Sequence, residues 1–149
     1  MTYLNKIDKE KAANLIALGI NRTTLLQSIQ SCNIAKVTAV YDGYCDSGQI
    51  QEWSIENIEG ETFDDSAPLT EVKTPRSIVP WATDRIERTE VSLGEALEAY
   101  CYDLLKHHQS GWEIDDGSFG EFVFDATLGT ITLEHNRRYT DIVTTTAEY

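Results

Sequence analysis

The stretch SLGEALEAYCYDLLKHHQ, Ser92 to Gln109, carries one unbroken apolar stripe. Leu93, Ala96, Leu97, Tyr100, Cys101, Leu104, Leu105 and His108 recur at i, i+3, i+4, i+7, i+8, i+11, i+12 and i+15. That period belongs to an α-helix with one face buried. Ser92 and Glu95 form an S-x-x-E capping box, Val91 precedes it as a staple residue, and Gly111 is a natural terminator. A helix of this kind needs a sheet or another helix to cover its stripe, so the strands around it define the fold.

Two pairs of strands flank it. Lys36 to Tyr44 alternates Val37, Ala39 and Tyr41 against Thr38, Val40 and Asp42, which reads as a central strand. The turn Asp42 to Gly48 follows, rich in Gly and Asp, and Gln49 to Ile58 returns with Trp53 and Ile55 on one face. Downstream, Glu121–Ala126 and Thr130–His135 form a second hairpin through Thr127-Leu128-Gly129. Phe122 and Phe124 share one face of its first strand, and Ile131 and Leu133 one face of its second. Trp81 to Glu90 is expected as a fifth strand. Gly60 to Pro80 holds all three prolines (Pro68, Pro75, Pro80) and reads as a long surface loop, because each proline removes a backbone donor. The first 33 residues read as two short helices, with a single broken helix as the alternative. Asp8 caps one that buries Ala12, Leu15 and Ile16; Gly19 interrupts; Asn21 caps another with Leu25, Leu26 and Ile29 inward.

The expected class is α+β: an antiparallel sheet of about five strands, with the capped helix across one face. The chain of 149 residues fits a single domain. It divides into a helical N-terminal segment (1–34), a body (35–142) and a tail (143–149).

Composition narrows the function. Twelve Lys+Arg against 25 Asp+Glu leave a formal charge of -13. Residues 1–36 carry a net of +3 and residues 37–149 a net of -16. Such a surface disfavours direct contact with phosphate backbones. No apolar run is long enough to span a bilayer, and the N-terminus has no signal-peptide core, so no membrane role and a cytoplasmic location are expected. Cys32, Cys45 and Cys101 give neither a disulfide framework nor a zinc pattern.

The acids gather in particular places. Asp64 and Asp65 lie in the 60–80 stretch, and Trp112, Glu113, Asp115 and Asp116 lie in a second loop that leads to Glu121. Trp or Tyr anchors beside charge are what a protein-binding surface uses, so these seven are the candidate partner-binding residues. Asp42, Asp46, His135, Asn136, Arg137 and Tyr139 form a candidate polar site at strand ends, where Arg presents a planar fork of donors to an anion. Loop carboxylates suit a hard cation, but neither loop follows the EF-hand spacing, and turn chemistry accounts for them. No metal, cofactor or catalytic residue is expected. There is no P-loop, no dinucleotide fingerprint and no nucleophile elbow.

Three segments also carry a resemblance. Tyr41-Asp42-Gly43-Tyr44-Cys45-Asp46-Ser47-Gly48-Gln49-Ile50, Gly111-Trp112-Glu113-Ile114-Asp115-Asp116-Gly117-Ser118-Phe119-Gly120-Glu121-Phe122 and Ile131-Thr132-Leu133-Glu134-His135-Asn136-Arg137-Arg138-Tyr139, with the helix around Glu95-Ala96-Leu97, resemble a family of uncharacterised bacterial proteins associated with plasmids, phages and other mobile elements. The likeness runs from about residue 36 to 142. It departs at Cys45, where the family implies glycine, and at Ile114, where it implies asparagine. It implies no activity, but nominates the first and second of these segments and the His135–Tyr139 end as places of shared function.

The expectation is a non-enzymatic acidic protein that binds the basic surface of a protein partner. The resemblance makes a mobile-element inhibitor of a nucleic-acid-binding host defence complex the narrower form. One alternative is a metal-dependent or acid–base enzyme built on Asp42, Asp46, Asp116 and His135. Another is a structural subunit, such as a homodimer, whose helix 1–33 docks a partner.

Overall fold

Alternation in the strand that begins after the first helix organises the molecule. In the computed structural model, which describes residues 3–44, 47–63, 67–108 and 117–138, Val37, Ala39 and Tyr41 are fully buried and their neighbours are half-exposed. This strand, β1 (Ile34–Tyr44), is central because partners flank it on both sides. β2 (Ser47–Asn57) and β6 (Ser118–Asp125) pair with it antiparallel, and β3 (Thr62–Phe63) and β7 (Thr130–Arg137) complete a five-stranded sheet in the order β3-β2-β1-β6-β7. The remaining strands, β4 (Lys73–Ile78) and β5 (Glu87–Ser92), form a separate two-stranded ribbon. The helices are α1 (Tyr3–Ser31), the short α2 (Ala67–Glu71) and α3 (Leu93–His108). The class is α+β, as expected.

The capped helix is α3. The Glu95 N–H donates to Ser92 Oγ at 3.2 Å, and the Leu93 N–H donates to the Val72 carbonyl at 2.8 Å, so its first turn is held from two directions. Leu93, Leu97, Cys101 and Leu105 are fully buried. They meet the inward faces of β1 and β6, where Tyr100 packs edge-on to Phe124 with ring centroids 5.9 Å apart. Gly94 allows the close approach of α2, since a Cβ there would lie 2.9 Å from the Leu69 carbonyl oxygen.

Four expectations are corrected. Residues 3–31 are one helix and not two, about 43 Å long at 1.5 Å per residue. Its buried face is Ala13, Ala17, Leu18, Asn21, Leu25 and Ile29, while Leu15 and Ile16 face outward. Gly19 lowers helix propensity by about 1 kcal/mol, which this packed face outweighs. A Cβ at Gly19 would touch nothing within 4 Å. Gly19→Ala therefore raises stability by about 0.5–1 kcal/mol, read as an upward shift in the urea midpoint. The helix ends where Asn33 takes a left-handed conformation, φ 59°.

The second correction is the 60–80 stretch, which holds β3, α2 and β4 instead of a bare loop. Pro75 sits inside β4. The Asn21 side chain bonds the outward backbone of Ser77, accepting from its N–H at 2.7 Å and donating to its carbonyl at 2.9 Å. Pro75, two residues earlier, falls on that same outer edge, where a missing N–H breaks no ladder bond.

Third, the strand expected at 81–90 runs from Glu87 to Ser92 and joins β4, away from the main sheet. Trp81 stands in the connecting turn, 95% exposed. Fourth, β1 and β2 extend into the segment expected as a turn, leaving only residues 45 and 46 between them. The turn at 127–129 forms as expected, with the Leu128 N–H bonded to Asp125 Oδ1 at 3.0 Å and Gly129 at φ 68°.

Candidate interaction face

Register across the sheet brings distant residues into rows. Tyr41 lies opposite Gly120, and Gly120 lies opposite His135. Glycine leaves the middle strand without a side chain, so the Tyr41 ring reaches across it and its hydroxyl bonds His135 Nδ1. The two rings lie nearly parallel, centroids 5.9 Å apart at 15°. Gly120 is obligatory here, because a Cβ would stand 1.9 Å from the Glu134 carbonyl oxygen and 2.7 Å from Tyr41 Oη. This is the known device of an aromatic covering a strand glycine.

A neutral imidazole protonated on Nε2 takes the tyrosine proton at Nδ1, and the Nδ1-protonated tautomer reverses the bond. Burial holds the Tyr41 hydroxyl well above the usual phenol range, with Glu134 adding to the effect. Burial also pushes His135 below its ordinary value, with Arg137 second. A folded-state pKa below the unfolded one means that the unfolded chain binds the proton more readily. The contribution of His135 is therefore complete above about pH 6.5 and is lost as pH falls through the lowered folded-state value. Replacing His135 with Gln should flatten that part of a stability-against-pH curve, measured by urea denaturation between neutral and mildly acidic pH.

Arg138 fastens the same end of the sheet. Its Nη1 lies 2.7 Å from Asp42 Oδ1 and 3.2 Å from the Gly43 carbonyl, and its guanidinium stacks 4.8 Å over the Phe119 ring. Its backbone N–H donates to Gly117 at 2.9 Å. One residue thus ties β1, β6 and the end of β7 together. The three segments that carry the sequence resemblance meet at this end.

The opposite face of the sheet, away from α1 and α3, carries charge. Val40 lies between Glu52 on β2 and Glu121 on β6, and Glu121 lies opposite Glu134 on β7. The next row along, Ser54, Thr38, Val123 and Thr132, is uncharged. A third row places Lys36 between Glu56 and Asp125. Glu52, Ser54, Thr132 and Glu134 are exposed, and no described element lies over them. Like charges directly opposite one another, as in Glu121 and Glu134, destabilise a sheet. Such a pair is better accommodated when something positive covers it.

The expected site residues divide accordingly. Glu121 is on this open face. Asp42, His135, Asn136 and Arg137 gather at the sheet end, with Asn136 Nδ2 donating to the Phe119 carbonyl at 3.3 Å. It is Arg138, not Arg137, that binds Asp42, and Arg137 is exposed. Asp46, Asp64, Asp65, Trp112, Glu113, Asp115, Asp116 and Tyr139 lie outside the described residues. Among the described residues no three His, Cys, Asp or Glu side chains group as metal ligands. Sequence reasoning missed Tyr41, Gly120, Glu52 and Glu134. A lone glycine within a strand was the available signal for the close approach at Gly120.

The chain belongs to the family described as "Family of unknown function (DUF6878)", whose model matches residues 17–149. No curated protein and no solved structure matches it. No helix among the described residues is long and apolar enough to cross a membrane.

Proposed function

We propose that the protein is a non-enzymatic binding protein whose open sheet face receives the basic surface of another protein. The observation that carries this reading is the row Glu52, Val40, Glu121, Glu134, which sets three carboxylates across four strands with no described cation among them. Neighbouring strands stand about 4.8 Å apart, so Glu121 and Glu134 offer closely spaced negative charge on a rigid support. Half-buried Val40 and Val123 give the face a small apolar centre, which suits the aliphatic stems of Lys and Arg. In its narrowest form the proposal is a mobile-element inhibitor that occupies the nucleic-acid site of a host defence complex, its carboxylates standing in for phosphates.

The mode of association is electrostatic steering, fast and sensitive to salt. The test uses a fluorescein-labelled lysine–glycine repeat peptide and two variants of equal net charge. Glu52→Gln/Glu121→Gln/Glu134→Gln removes charge from the face, and Glu71→Gln/Glu95→Gln/Glu98→Gln removes it from the helices. The face variant should bind about tenfold more weakly than the control at low salt. Equal affinities would mean that net charge alone drives binding, and the proposal would be wrong.

A further inference from the structure

The edges of the two sheets are not treated alike. On the main sheet, β3 is two residues long and pairs only with Ile55 and Glu56 of β2, and farther along β2 the Ile50 N–H donates to the Tyr102 hydroxyl. On the ribbon, β4 has its outward backbone bonded by Asn21 and interrupted by Pro75, and β5 carries Glu87, Arg88 and Glu90. Short strands, proline, charge and covering side chains are the ordinary means of keeping an edge from pairing. β7 uses little of this. It runs eight residues, Thr130–Arg137, has no proline, carries Glu134 and Arg137, and among the described residues pairs only with β6.

Register fixes which backbone groups of β7 face away from β6. Arg138 donates its N–H inward to Gly117, and backbone direction alternates along an antiparallel strand. The backbone groups of Ile131, Leu133 and His135 therefore point outward, and no described backbone group bonds them. Their side chains share the face of Phe122 and Phe124, where Ile131 and Leu133 pack half-buried at the margin of the core. Thr132 and Glu134 project to the open, acidic face.

We infer that β7 is a strand-addition site and that the basic partner docks on it through an extended segment alternating apolar and Lys/Arg residues. This rests on the proposed binding function and specifies its geometry. Backbone hydrogen bonds to Ile131, Leu133 and His135 supply affinity. Apolar residues of the added strand continue the core beside Ile131 and Leu133. Its Lys or Arg residues fall on the other face, next to Glu134 and one strand from Glu121. Charge complementarity thus sets which face each residue type takes, and the period of two sets the register.

The test uses the full chain and an alternating Lys-Val peptide of about eight residues, a length matching β7. Three relatives serve as controls: a block peptide of the same composition, one N-methylated at every Val, and one N-methylated at every Lys. In antiparallel addition the Val N–H groups face β7, and in parallel addition the Lys N–H groups do. Methylating one set alone should weaken binding at least about tenfold, the other set should matter little, and the block peptide should bind weakly. Amide exchange at Ile131, Leu133 and His135 should slow about tenfold under saturating peptide. If all four peptides bind alike in a salt-sensitive way, strand addition is wrong and the charged-face reading stands. If none binds, both fail. A concentration-dependent dimer by light scattering, with these three amides protected before any peptide is added, would assign the edge to a second copy and overturn the proposal.

Discussion

Replacing Gly120 with Ala should be among the most damaging single substitutions in the chain. The added methyl carbon meets the backbone carbonyl of Glu134 at 1.9 Å and its carbon at 2.9 Å, and neither can rotate away as a flexible side chain would. Relief requires β6 and β7 to separate, which breaks a ladder running from Ser118↔Arg137 to Asp125↔Thr130. The same methyl sits 2.7 Å from Tyr41 Oη and displaces the ring that covers the glycine. A loss of at least about 3 kcal/mol is expected, since overpacking against backbone exceeds the usual side-chain case. Urea denaturation measures it directly. Tyr41→Phe in the same chain should not rescue the variant, because the dominant clash is with Glu134 and not with the hydroxyl. Near-native stability of Gly120→Ala would mean that the three-strand row is built differently.

Asn21→Ala should be the second large effect. Asn21 is 6% exposed and its side chain is the partner of both Ser77 backbone groups. Alanine leaves a donor and an acceptor unpaired, at about 1–3 kcal/mol for each group that water does not reach. The expected loss is about 2–4 kcal/mol, below the sum for two fully dry groups because Ser77 is half-exposed. The damage should be local first, because α1 and the ribbon meet through this contact and through the Ser28–Thr74 hydroxyl pair at 2.7 Å. Hydrogen exchange at the Ser77 amide should accelerate well before exchange at Val37 or Phe122. Uniform acceleration across the sheet would show that α1 docking and the core open together.

These two positions also mark where sequence reasoning reaches its limit. The α3 stripe was legible because period, cap and staple agree over 16 residues. The faces of β1 were legible for the same reason, as were Phe122 and Phe124. Residue type alone makes Asn21 a helix cap, whereas its use depends on β4 lying alongside α1. β4 itself was obscured by Pro75, which is excluded from a central strand but acceptable on an edge. Gly19 suggested a break that tertiary packing overrides. The candidate face is less legible still. Glu52, Glu121 and Glu134 are scattered along the chain and become one row only through register, which no local pattern reports. His135 was singled out from its polar neighbours, but its partner Tyr41 required knowing that Gly120 lies between them.

Mapping the binding surface residue by residue shows whether the open sheet face is where a basic ligand docks. Backbone amide shifts of the full chain are followed by NMR while the lysine–glycine repeat peptide is titrated in at low salt. Perturbations should group on Thr38, Val40, Glu52, Ser54, Glu121, Val123, Thr132 and Glu134, and fade together as salt is raised. Perturbations centred on α1 or α3, or spread evenly over every exposed acid, would contradict docking on the open sheet face.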